Sequence, residues 1–161
     1  MHQFIDNKKR AWEITIDVAA VKRIRSLTGA DVMALVAFKA GEQSLIERLQ
    51  SDPVLLCDMI FAACKPFADS KSISDSDFGE AMAGDAIEHA TAAFLAECVD
   101  FFPNTTDREN LRAVMEKSER AASLIRKVQK DRVESLDPEK IVKSVLENAG
   151  KASTDAPASS E

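Results

Sequence analysis

The sequence predicts a mainly α protein: an N-terminal β-hairpin packed on a multi-helix bundle, followed by a disordered C-terminal tail. Three observations carry this. Alternation with a period of two beats a helical period only near the start, where Trp12, Ile14, Ile16 and Val18 alternate with Glu13, Thr15 and Asp17. After residue 18, apolar residues recur three and four apart, and Ser, Thr or Asp stands before the new starts. The final KASTDAPASSE is small and polar. The expected organisation is one helical domain over 1–149, with the hairpin in 1–18, and a disordered tail over 150–161.

Phe4 and Ile5, ahead of the turn-forming Asp6-Asn7-Lys8-Lys9, supply the partner strand of the hairpin. A lone hairpin is marginal in water, so helices must cover one face. Asp17 is placed to cap a helix whose Val21, Ile24 and Leu27 share a face, and Gly29 to end it. Residues 31–39 read as a short helix capped by Asp31, although the apolar run also fits a strand. Ser44 and Glu47 form a capping box. Asp52-Pro53 restarts the chain, because proline at the first helical position lacks only an N–H that would be unpaired anyway. The segment VLLCDMIFAACK then runs to Lys65, with Pro66 as its stop. It is apolar nearly all round and is expected to be the central buried helix.

Ser74 with Asp77 makes a cap, and Ile73 with Phe78 a hydrophobic staple. Together they predict one long helix bearing Ala83, Ile87, Ala90, Phe94, Cys98 and Phe101, ended by Pro103. Gly79 and Gly84 in its first turns cost about 1 kcal/mol each relative to Ala, which predicts close approach of a neighbouring backbone. A third box, Thr106 with Glu109, opens a helix of about 28 residues, ~40 Å at its ordinary rise. Its stripe is Leu111, Val114, Met115, Ala121, Ala122, Ile125 and Val128. Asp137-Pro138 then starts a last short helix, lined by Ile141, Val142, Val145, Leu146 and Ala149 and ending at Gly150.

Composition bounds the function. Of 161 residues 45% are hydrophobic, enough for a packed core. No apolar run approaches the ~20 residues of a membrane span, and no signal-peptide core is present, so a soluble cytoplasmic protein is expected. Cys57, Cys64 and Cys98 lie in apolar stretches and read as reduced core residues. The net charge of −6 is unevenly distributed: residues 52–103 hold 2 basic and 10 acidic groups. That block repels nucleic acid and favours a basic or apolar partner surface. Lys8-Lys9-Arg10 and Lys22-Arg23-Ile24-Arg25 lack the interleaved aromatics of a nucleic-acid site and read as solvated faces.

Asp85 and His89, four apart with Glu88 adjacent, have the spacing of metal ligands but supply two at most, and read as a surface pair. Neither a P-loop, a dinucleotide fingerprint nor a Ser/His/Asp order is present, so no enzyme, cofactor or metal is expected. Phe94, Phe101, Phe102 and Met115 are core residues by default; as the alternative they line a groove for a partner helix.

The Trp-containing hairpin, VAAVKRIRSLTGADV, SLIERLQSDPVLLCDMIFAACKP and DFGEAMAGDAIEHATAAFLAECVDFFP, in that order, resemble the small tail assembly chaperones of long-tailed bacteriophages and prophages. The likeness covers about residues 3–103 and is one of pattern and order. It implies a non-catalytic factor of the bacterial cytoplasm that coats the long helical tape measure protein and helps recruit tail tube protein, with homo-oligomers among its possible states. Many members are extended by a −1 frameshift, with which Ala149-Gly150-Lys151 is compatible. The alternatives are a structural tail component, a connector or tube-completion subunit with the long helix mediating a ring, or a small helical adaptor.

Overall fold

The computed structural model describes residues 1–37, 41–135 and 142. Its contacts divide the chain into two compact units, Met1–Val114 and Met115–Glu161, a division that the apolar pattern does not mark. The protein is mainly α with an N-terminal hairpin, as expected.

In the first unit β1 (His2–Ile5) and β2 (Ala11–Ile14) pair antiparallel, Phe4 opposite Trp12. Alternation puts Phe4, Trp12 and Ile14 in the core. Val18 departs from the expected strand face: it is 62% exposed and opens α1 (Val18–Thr28). The reason is Asp17, whose carboxylate accepts the Ala20 N–H at 2.7 Å and so turns the strand into a helix. Gly29 ends α1 at φ 71°, a left-handed conformation that glycine adopts without strain. Leu27, expected on the buried face, is 58% exposed. Asp31 caps only a 3-10 turn, Val32–Leu35, where a helix to residue 39 was expected; residues 38–40 lie outside the described residues. Both arms of the Ser44–Glu47 box form ahead of α2 (Leu45–Ser51).

α3 (Pro53–Ser70) is the central helix, packing against α1, α2, β2 and α5. Contrary to expectation it continues through Pro66. Proline has no N–H for the carbonyl four residues earlier, which would leave Ala62 unpaired. Arg23 of α1 fills the gap: its Nε donates to the Ala62 carbonyl and a terminal nitrogen to that of Ala63, each at 3.2 Å. One member of a basic cluster is therefore a structural donor.

The capping box of Ser74 and Asp77 forms, but opens only the short α4 (Asp75–Gly79). The expected single long helix is broken at Gly84 (φ 56°), and α5 (Asp85–Phe101) starts afresh. A Cβ at Gly79 or Gly84 would meet nothing within 4 Å, so these glycines do not mark a close backbone approach. The break is held by the hairpin turn: Asn7 donates its N–H to the Ala81 carbonyl (3.1 Å) and its carboxamide to that of Ala83 (3.0 Å). α6 (Thr105–Glu134) is capped by Asn104, whose side chain accepts the Thr106 N–H at 2.9 Å, in place of the expected Thr106–Glu109 box. The last helix, but for Val142, and the tail over 150–161 lie outside the described residues.

The core holds a buried carboxylate. Asp6 is 2% exposed, accepts from Trp12 Nε1 (2.8 Å), Arg10 Nε (2.6 Å) and the Arg10 N–H (2.9 Å), and has no free polar atom. Burial pushes its pKa up, but these donors and the Arg10 charge prevail and hold the carboxyl below its ordinary value. Trp12 in turn stacks with Phe4 and meets Phe67 and Phe78 edge-on.

Two expected outcomes test this account. Arg23→Met costs about 1–3 kcal/mol in urea unfolding by orphaning the Ala62 carbonyl, and much less when combined with Pro66→Ala, whose N–H satisfies it. Asp6→Asn costs about 3 kcal/mol at pH 7. Because the folded pKa of Asp6 is lowered, its contribution is complete above about pH 4 and is lost as pH falls through the folded value, so the variant loses less stability on acidification, read from Trp12 fluorescence.

Candidate partner-binding site

Phe94, Phe101, Phe102 and Met115 read as core by default and as a partner groove in the alternative. Phe94 and Phe102 are fully buried, Phe94 on the face of α5 that also carries Ala90 and Cys98, so both are core, as the default reading has it, and neither offers surface to a partner. Phe101 remains half-buried, its ring 6.2 Å from that of Phe102. Met115, in the second unit, is half-buried.

An open groove of about 450 Å³ lies elsewhere in the first unit, where Leu27 and Thr28 at the end of α1 face α3 and the start of α4. One face of α3 supplies Asp58, Phe61, Lys65 and Asp69 to it, spaced by three and four. Leu27, Phe61 and Ile73 provide apolar surface, and Asp58 and Asp75 line the groove with acid. Lys65 is committed to Asp69 at 2.7 Å and lies 5.8 Å from the Phe61 ring centre. Asp58 and Asp75 have no ion-pair partner among the described residues. Partial burial, and then the negative charges of Asp75 and Asp52, hold the Asp58 carboxyl above its ordinary value.

Several other acids of the central block are in ion pairs. Glu80 pairs with Lys8 (2.9 Å), Glu97 with the Met1 amino group (2.6 Å) and His2 (3.0 Å), and Asp100 faces Arg112 at 3.9 Å. The groove brings two unpaired carboxylates, Asp58 and Asp75, to one place. The sequence carries one sign of it: Asp58 is the single charge inside the apolar run VLLCDMIFAAC. Leu27 has no such sign, since its spacing matches the core face.

A second groove, of about 720 Å³, runs between β1 and α5 and is lined by Asp85, His89 and His2 among others. No group of three or more His, Cys, Asp or Glu that could hold a metal exists among the described residues. Cys64 and Cys98 are buried, and burial pushes the Cys64 thiol up to about 12 and raises that of Cys98 too. Cys57 is half-buried, its pKa raised by burial and then by Asp58 and Asp75. All three are thiols rather than thiolates at neutral pH. Among the described residues no helix is long and apolar enough to cross a membrane.

Compared with protein-family models, with curated proteins and with solved structures, the chain has no match in any of the three.

A raised folded pKa means that Asp58 favours folding only while protonated and loses this as pH rises through the folded value. Asp58→Asn is therefore expected to raise Tm at pH 7 by about 1–2 °C and to leave it unchanged at pH 3, in paired thermal melts.

Proposed function

We propose that the protein is a tail assembly chaperone of a long-tailed bacteriophage or prophage, a non-catalytic factor of the bacterial cytoplasm that binds the helical tape measure protein and aids assembly of the tail tube. The resemblance over about residues 3–103 supports this reading. The observation that carries it is the groove of Leu27, Phe61 and Ile73 with the uncompensated Asp58 and Asp75.

A tape measure helix exposes apolar stripes until the tube encloses it. A groove with apolar surface takes one or two of its large side chains, and the acidic residues attract a neighbouring Lys or Arg. Exposed charge contributes more to the rate of encounter than to affinity, which suits a partner that must later be released to the tube.

The test is co-expression with the long helix-rich protein encoded downstream. The chaperone reading expects that protein to be soluble only with this chain, and Leu27→Lys or the pair Asp58→Lys, Asp75→Lys to cut its capture about tenfold with no fall in melting temperature. Equal capture by these variants, or a partner soluble alone, overturns it. Sequencing the gene across Ala149-Gly150-Lys151 gives a second readout, a slippery heptamer with an overlapping −1 frame.

A further inference from the structure

We infer that α6 pairs antiparallel with α6 of a second copy of this chain, through residues 117–131. The inference stands apart from the proposed function, since it uses the second unit alone.

Along this stretch Ala121, Leu124, Ile125 and Val128 are exposed, Leu124 by 64%, Ile125 by 58% and Val128 by 66%. Ala121, Ile125 and Val128 follow the alternating four- and three-residue spacing of a helix–helix seam, and Leu124 lies at its flank. Apolar seams of this kind on long charged helices are covered by another helix far more readily than by water.

The charges select which helix. Glu116 faces Arg120, and Lys130 faces Glu134, each pair one turn apart on α6. Lys117 and Asp131 have no ion-pair partner among the described residues. They lie two heptads apart on the same flank as Leu124, which is midway between them. Two copies of α6 laid antiparallel about a two-fold axis beside Leu124 place Ala121 against Ile125 of the second copy, twice. The same register sets Leu124 beside its own counterpart and Lys117 beside Asp131 of the second copy, also twice. Every element is reciprocal, as a two-fold interface requires. A parallel pair sets Lys117 near Ala122 of the second copy and makes neither ion pair. Sliding the antiparallel pair by one heptad sets Lys117 against Leu124.

The contact is small, four exposed apolar side chains per copy, so it falls at the low end of specific interfaces and gives a reversible dimer with a dissociation constant in the range of about 1–100 µM. The ion pairs fix register and direction; salt screens them and leaves the apolar seam.

The test is sedimentation equilibrium of the full chain at about 5–500 µM, a window that brackets this range. A monomer–dimer equilibrium that stops at two is expected, and Ile125→Asp abolishes it with helicity retained. Lys117→Asp and Asp131→Lys each weaken the dimer about tenfold, and the two together restore it. In a Cys57→Ser background, Leu124→Cys cross-links to itself on oxidation, and Lys117→Cys does so much more slowly. A monomer throughout the concentration range, an assembly larger than two, a charge swap that restores nothing, or self-cross-linking through Lys117→Cys as fast as through Leu124→Cys overturns the inference.

Discussion

The first unit depends on one carboxylate. Asp6 sits where the hairpin turns, with no exposure of its side chain, and a charge taken so far from water is tolerated only when both oxygens are hydrogen-bonded and a counter-charge is near. Its three donors come from Arg10 and Trp12, four and six residues on, so satisfying Asp6 closes the turn and fixes the indole at once. Arg10 then lies 5.4 Å from the Trp12 ring centre and donates to the Asp77 carbonyl at 3.0 Å, while Asn7 holds Ala81 and Ala83. The turn thereby sets where α4 ends and α5 begins.

α3 is the second constraint. It reaches Ser70 because Arg23 replaces the N–H that Pro66 lacks, and this part-buried polar contact ties α1 to α3 beside the buried Ile24 and Ile60. Asp58 and Lys65 of α3 reach the groove at the edge of its buried face, with the largely buried Phe61 between them. A helix buried on most sides thus also lines the groove, and the position of that groove follows from how α1 docks on α3.

Electrostatics separates the acids with structural roles from those without an ion pair in the groove. Glu80 and Glu97 are answered by Lys8, the amino group of Met1 and His2, all in or beside the hairpin. Asp52 and Asp77 cap helices, accepting the N–H groups of Leu55 and Ser74. Asp58 and Asp75, without an ion pair among the described residues, line a groove next to apolar side chains, the combination that a cationic amphipathic segment complements.

The sequence by itself determined the features whose causes lie within a few residues. The alternation of Trp12 and Ile14, the caps at Asp17, Ser44, Asp52 and Ser74, and the end of α1 at Gly29 all rest on hydrogen bonds or backbone preferences spanning about one turn. Only the tertiary structure decided whether Pro66 would stop a helix, since the answer is Arg23, more than forty residues earlier. It decided that the helix predicted from Ser74 breaks at Gly84, where Asn7 takes the nearby carbonyls, and that Phe94 and Phe102 are covered while Leu27 is not. A periodic pattern states which residues share a face of one helix. Which face meets the core, and where a groove is left, depends on neighbours brought together by the chain's long-range packing, and local spacing carries no record of them.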